Sequence, residues 1–210
     1  MRLSLIRHAV TSWNTGGRVQ GQSDVPLSAL GEAQARALCE RFSGEEVLLY
    51  SSPLGRARTT ATLAFPRHPA IIDPRLSELN FGIFEGLTLA ERRELAEWHG
   101  WTREPFFNPA PGGESYSELY RRASAWLESL PEAPHIVAVT HSGTIQMLVA
   151  HVLQMSTRGW RKRVYLGHAS VTGFVKNGSE FMLERLNDTR HLTAELQTTH
   201  VVPKEVRLDP

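Results

Sequence analysis

His135-Ile136-Val137-Ala138-Val139-Thr140-His141-Ser142-Gly143-Thr144-Ile145-Gln146-Met147-Leu148-Val149 is the stretch whose reading decides the fold. His135 to Thr140 is mostly apolar, as a buried central strand should be. Gly143 to Leu153 follows as a helix, so the stretch reads as strand, turn, helix. Working outward, Leu3 to Ile6 is a strand candidate, followed by a loop rich in Asn14, Gly16, Gly17, Gly21, Asp24 and Pro26. Ser28 reads as the N-cap of a helix in which Ala33, Ala37, Leu38 and Phe42 recur at helical spacing. Val47 to Tyr50 is a short strand, and Pro53 to Phe65 a helix opened by Ser52 and Pro53. Ile71 and Ile72 form another short strand. Leu87 to Trp98 and Glu114 to Leu130 read as helices. The proline- and aromatic-bearing segment Gly100 to Gly113 between them reads as an ordered loop or cap. Val164 to Val175 and Phe181 to Leu186 are late strands with Asn177-Gly178 as the turn. Strands alternating with helices predict an α/β fold with a largely parallel sheet and helices on both faces. Ligands of such folds sit outside the carboxyl ends of the strands. Arg7-His8 and His141 both fall just past strand ends.

Composition narrows the function classes. The chain has 210 residues, which fits one domain with an insertion. We take it as a single domain, 1–210, with a cap-like insertion at about 86–113. Its net charge of +1 gives no global reason to bind nucleic acid or an acidic membrane surface. The single cysteine, Cys39, cannot form an internal disulfide, which suits a reducing compartment. The N-terminal apolar run is broken by Arg7 and His8, too early for a signal-peptide core. No stretch approaches the ~18 apolar residues of a membrane span. A cytoplasmic location is the expectation.

Arg7-His8, Arg56, Glu78 in Leu76-Ser77-Glu78-Leu79, and His141 form a constellation of two arginines, two histidines and one carboxylate. Two converging guanidinium forks match the oxygens of a phosphoryl group. A neutral imidazole can attack phosphorus and become a phosphohistidine. A nearby carboxylic acid can protonate the departing oxygen and later activate water. A second histidine, in its cationic form, can stabilise charge on the equatorial oxygens. His141-Ser142-Gly143 also leads into a helix, whose free N–H groups favour an anion.

The sequence resembles the histidine phosphatase superfamily, also called phosphoglycerate-mutase-like. Leu5-Ile6-Arg7-His8-Ala9-Val10-Thr11-Ser12-Trp13-Asn14 resembles the family's opening Arg-His-Gly-x-Thr-x-x-Asn signature, and Gln20 to Ser28 resembles the stretch after it. Ser51 to Ala61 is similar to the segment carrying the second arginine. Leu76-Ser77-Glu78 with Phe81 to Gly86 resembles the acid segment, and Val139-Thr140-His141-Ser142-Gly143 the second-histidine segment. These blocks run in family order from residue 3 to about residue 192. The resemblance implies a three-layer α/β/α sandwich. It makes His8 the phosphoryl acceptor and Glu78 the proton donor, with Arg7, Arg56 and His141 holding the phosphate. Asn14, Gln20 and Ser142 join them in binding the transferred group. It implies no metal and no organic cofactor, and a small phosphorylated substrate as partner. A symmetric homodimer is the expected assembly if the chain self-associates.

Where the family has glycine after the nucleophile, this chain has Ala9. A glycine needed for positive φ would make alanine a strain; a glycine needed only for size makes it a mild change, which is the reading preferred here. Glu85 competes with Glu78 as the acid, but its alternative is a loop hydrogen-bonding group, and family position favours Glu78. His68, His99, His135, His151, His168 and His191 show no zinc-binding spacing. His168, before Ala169-Ser170, reads either as lying near the pocket or, the preferred reading, as structural. Trp98, Trp101, Phe106 and Phe107 fit a leaving-group lid and core packing equally well. Arg161-Lys162-Arg163 is expected to be a solvated basic face. The short block between Glu78 and Glu114, Pro111 to Ser115 and the closing Leu186 to Leu192 look like the broad-specificity and α-ribazole phosphatase branch. The expected function is therefore phosphomonoester hydrolysis through a phosphohistidine. A phosphoglycerate-mutase-type transfer and a non-catalytic phospho-ligand module are the alternatives.

Overall fold

A computed structural model describes residues 1–156 and 164–198. Its elements run β1 (Arg2–Arg7), α1 (Ser12–Thr15), α2 (Ala29–Arg41), β2 (Leu48–Ser51), α3 (Gly55–Ala64), β3 (Ile71–Ile72), α4 (Leu89–Arg93), α5 (Ala96–Arg103), α6 (Tyr116–Glu128), β4 (His135–Thr140), α7 (Ser142–Val152), β5 (Val171–Asn177) and β6 (Glu180–Asp188). The strands form one sheet in the order β3-β2-β4-β1-β5-β6. Strands β3, β2, β4 and β1 pair in parallel, whereas β5 is antiparallel to both β1 and β6. Every residue of β4 is buried, as its apolar run requires.

Alternation along the two central strands sends successive side chains to opposite faces. Ile6, Val137 and Val139 pack on one side against Ala35, Leu38 and Phe42 of the α2 end and Ala57, Ala61 and Ala64 of α3. Leu3, Leu5, Ile136 and Ala138 pack on the other against Ala123, Trp126 and Leu127 of α6 and Ile145, Leu148 and Val149 of α7. The expected α/β/α layering and mostly parallel sheet are thus present. The helix starts follow local chemistry. Ser28 accepts from the Gly31 amide, and Ser115 and Glu118 form a capping box at α6.

Several boundaries differ from the sequence reading. The predicted helix 87–98 is two short helices, because Leu95 is extended (φ −91°, ψ 129°) and turns α5 back. Trp98 and Trp101 then pack onto Phe84, with ring centroids 5.3 and 5.5 Å away. The segment taken as loop from Gly100 is helical through Arg103. The late strand begins at Val171 rather than Val164. Within residues 166–170, Ala169 is left-handed (φ 53°) and Ser170 donates its amide to the Gly167 carbonyl. Helix α3 starts at Gly55 without a side-chain cap. The loop after β1 contains α1, capped by Thr11 with Asn14. Arg161-Lys162-Arg163 lie outside the described residues.

A buried glutamine ties the fold to the chain after β1. The Gln34 side chain is fully buried; its Oε1 accepts from the Val10 amide at 3.0 Å and its Nε2 donates to the Leu196 carbonyl at 2.8 Å. Gln34→Leu would leave both main-chain groups without that partner. The expected loss is about 1–3 kcal/mol of unfolding free energy by urea titration. An unchanged urea midpoint would show that the bridge contributes nothing.

Candidate active site

The carboxyl ends of β1, β2 and β4 lie on one edge of the sheet, and each delivers part of the constellation. Strand β1 ends at Arg7 with His8 next in the chain, β2 leads through Ser52 to Arg56, and β4 is followed directly by His141. The chain leaving β3 turns through Pro74–Leu76 to Glu78. His8, Arg7, Arg56 and His141 are all buried, and Glu78 is half-buried at their side.

His8 presents one ring nitrogen with its lone pair exposed to the constellation. Its Nδ1–H donates to the Ala9 carbonyl at 2.8 Å, so the lone pair resides on Nε2. Burial, followed by the charges around Arg56, His141 and Arg7, drives its pKa well below 6.5, so the imidazole is neutral. Ala9 does not have positive φ and its methyl is part of the core, so replacing glycine there imposes no left-handed strain.

The two arginines share one arrangement. Arg7 donates from Nη1 to the Leu166 carbonyl at 2.6 Å and from Nη2 to His168 Nε2 at 2.8 Å. Arg56, only 1% exposed, donates from Nη1 to the Ser23 carbonyl at 2.8 Å and from Nη2 to the Gly21 carbonyl at 2.5 Å. In both, the buried Nε–H has no partner. Burial pushes the Arg7 pKa down to about 10, against the attraction of Glu78. Burial also lowers that of Arg56, while Glu78 opposes the shift. His141 approaches Ser52 Oγ through Nε2 at 2.8 Å, and its buried Nδ1 is likewise without a partner. Its pKa is driven well below 6.5 by burial, then by Arg56, Arg122 and Arg7. It is therefore a neutral polar group here, not the cation that the sequence reading allowed for. Three buried nitrogens, on Arg7, Arg56 and His141, remain for an anion.

Glu78 is held by backbone amides. Leu79 N–H donates to Oε1 at 2.9 Å and Gly143 N–H, in the first turn of α7, to Oε2 at 3.0 Å. A Cβ at position 143 would collide with this carboxylate. Beneath it, Arg122 donates to the carbonyls of Arg75 (2.8 Å), Ser77 (2.6 Å) and Glu78 (2.9 Å) and pairs with Glu114. That clamp supplies the hydrogen bonds that an irregular segment lacks. Sequence reasoning missed Arg122; its only local signal is one basic residue inside an apolar helix face.

Glu85 does what its alternative reading described. It accepts from the amides of Gln22, Ser23 and Phe81 and from Ser23 Oγ. It thereby holds the loop whose carbonyls grip Arg56. Thr11 Oγ1 lies 3.1 Å from Asn14 Oδ1 and 3.0 Å from buried Gln20 Oε1, gathering both predicted binding residues beside the nucleophile segment. Ser142 is half-buried at the start of α7. Trp101 is core, Trp98 and Phe106 are half-buried against it, and Phe107 is 65% exposed. Among the described residues, no group of three or more His, Cys, Asp or Glu side chains is placed to hold a metal. Nor is any helix there long and apolar enough to cross a membrane.

Two predictions follow from this geometry. Gly143→Ala should displace the Glu78 carboxylate, and under the acid–base role expected of Glu78 it should cut phosphatase turnover at least about tenfold. Full activity would show that Glu78 is not used where it stands. Acid should destabilise the protein before its carboxylates titrate. Folded-state pKa values are lowered for His8, His135 and His141, and to about 4 for His191, in each case chiefly by burial. The unfolded chain therefore binds these protons first, and stability present above pH 6.5 is lost as pH falls. Each histidine adds a slope of up to about 1.4 kcal/mol per pH unit. Urea midpoints at pH 7 and 5 measure it; an equal or higher midpoint at pH 5 would contradict the neutral-histidine assignment.

Comparison with known proteins agrees with the geometry. The model of the histidine phosphatase superfamily (branch 1) matches residues 3–189. A Proteus mirabilis protein named "Probable phosphoglycerate mutase GpmB" is 33% identical over 208 residues, covering 92% of this chain and 95% of its own. The α-ribazole phosphatase from Shigella flexneri superposes with a TM-score of 0.83 at 26% identity, covering 90% of this chain and 96% of its own. The phosphoserine phosphatase from Entamoeba histolytica, solved with 3-phosphoglyceric acid, gives 0.81 at 27% identity, with 91% and 99% covered. The motif blocks, the sheet and the matched span agree, and the chain belongs to branch 1 of the histidine phosphatase superfamily.

Proposed function

We propose that the chain is a phosphomonoester hydrolase that works through a phosphohistidine on His8 and acts on a small phosphorylated metabolite. The observation that carries this reading is the neutral His8 beside three buried nitrogens, Arg7 Nε, Arg56 Nε and His141 Nδ1, that have no partner. A dianionic phosphoryl group satisfies all three.

In the first step His8 Nε2 attacks phosphorus in line. The P–O bond to the leaving group breaks, and Glu78 gives its proton to the departing oxygen, releasing the alcohol. In the second, water attacks phosphorus and the P–N bond breaks. Glu78 takes the water proton, and phosphate leaves with His8 restored. Arg7 and Arg56 hold the equatorial oxygens throughout, and His141 donates from Nδ1 in the tautomer that accepts from Ser52. The Gln20 and Asn14 amides and Ser142 extend the donor set. The reading needs neither metal nor organic cofactor, and a cytoplasmic setting suits the single thiol of Cys39.

A second reading is phosphoglycerate-mutase-type transfer, favoured by the name of the Proteus relative. It is separated from hydrolysis by following 3-phosphoglycerate: conversion to 2-phosphoglycerate without phosphate release identifies a mutase.

Phosphate release is to be measured on p-nitrophenyl phosphate, α-ribazole 5′-phosphate, phosphoserine, sugar phosphates and nucleotides. His8→Ala should abolish release and the acid-labile phosphoenzyme seen on quenching; near-normal turnover by that variant would sink the assignment. Glu78→Gln should slow esters with poor leaving groups at least about tenfold more than p-nitrophenyl phosphate. Equal slowing of both would remove Glu78 from the acid role.

A further inference from the structure

We propose that His168 is a positioning residue that holds the Arg7 guanidinium in its phosphate-binding orientation, with Thr198 fixing the tautomer this requires; the proposal rests on the reading that Arg7 binds the phosphoryl group. A guanidinium only donates, so the 2.8 Å contact from Arg7 Nη2 makes His168 Nε2 an acceptor. The His168 proton must then sit on Nδ1, and Nδ1 lies 3.1 Å from Thr198 Oγ1, an acceptor able to receive it. The tautomer is set from both ends. A protonated His168 would turn a donor toward a donor and place two cations side by side, so the ring works only when neutral.

The segment carrying His168 is built to hold this position. Strand β5 runs antiparallel to β1 and begins where β1 ends, with Ile6 opposite Val171. The residues just before β5 therefore lie at the edge where the parallel strands deliver Arg7 and His8. Leu166 supplies the carbonyl for Arg7 Nη1, Ser170 the carbonyl for the Arg7 amide at 3.1 Å, and the left-handed Ala169 donates its amide to the His8 carbonyl at 3.3 Å. With one Nη on a carbonyl and the other on an imidazole, rotation of the guanidinium is blocked and Nε–H keeps one direction. The His168 ring is 6.0 Å from that of His8, but its nitrogens serve Arg7 and Thr198, so it acts through Arg7.

The test is a double-mutant cycle read in two ways: kcat and KM for p-nitrophenyl phosphate, and Kd for inorganic phosphate by calorimetry. His168→Ala should weaken phosphate binding and lower kcat/KM by about tenfold to a hundredfold, the range for losing a hydrogen bond to a charged group. In an Arg7→Ala background the same substitution should change phosphate binding by less than about twofold, because the residue it serves is gone. His168→Gln, whose Oε1 lies as many bonds from Cβ as Nε2, should recover most of the loss. Equal losses in both backgrounds, or no recovery by glutamine, would overturn the proposal. If His168→Ala does not fold, Thr198→Val leaves both site side chains in place and should weaken phosphate binding several-fold; unchanged binding would overturn the proposal. Should the wild type turn over no ester, the hydrolase reading fails while the phosphate-binding cycle still decides the role of His168.

Discussion

Arg7 and Arg56 are buried cations, and neither forms an ion pair among the described residues. Taking a cation out of water costs several kcal/mol unless its protons find acceptors. Here the acceptors are three main-chain carbonyls and one imidazole, all neutral. Neutral acceptors satisfy the geometry of a guanidinium without cancelling its charge. The result is a positive interior next to a neutral histidine, and much of the surrounding structure serves to maintain it. Glu85 shapes the loop that grips Arg56, and the turn before β5 grips Arg7. Glu78 stands close enough to oppose the burial-driven fall in both arginine pKa values without closing a salt bridge on either.

Topology explains why these groups meet. Parallel strands bring their carboxyl ends to one edge, so β1, β2 and β4 each contribute from the residues just beyond them. A further contribution comes from the opposite logic. An antiparallel strand presents its beginning at that edge, which puts Leu166 and His168 beside Arg7. Across the site, Arg122 binds the carbonyls of Arg75, Ser77 and Glu78 in the irregular chain that carries Glu78, so helix α6 helps set the position of the carboxylate.

What the sequence made legible was local. The β1 and β4 runs, the Ser28 cap and the Asn177-Gly178 turn are patterns within a few residues, and the structure has them. Arg7, His8 and His141 adjoin strand ends, where the strand pattern alone places them, while Arg56 and Glu78 follow β2 and β3 at a few residues' remove. What stayed hidden depends on partners distant in sequence. Nothing near His168 announces Arg7, and nothing near Arg122 announces the carbonyls of residues 75–78. The apolar run from Val164 reads as strand because periodicity cannot show that its first residues wall a site instead of joining a ladder. Leu95 breaks a helix for the sake of tryptophans that must reach Phe84, a tertiary demand that outweighs helix propensity.

The place of β1 in the sheet has a consequence for biogenesis. Strand β1 is an interior strand, and both of its neighbours, β4 and β5, are synthesised long after it. Its ladder cannot close until β4 and β5 have also emerged. Until then the apolar residues Leu3, Leu5 and Ile6 wait in an unpaired segment, a state open to misassociation. His8 and Arg7 acquire their burial only when that last pairing forms. The buried pocket around Arg7 and His8 should therefore assemble late, and a nascent chain ending short of β5 would carry His8 without the turn that packs against Arg7.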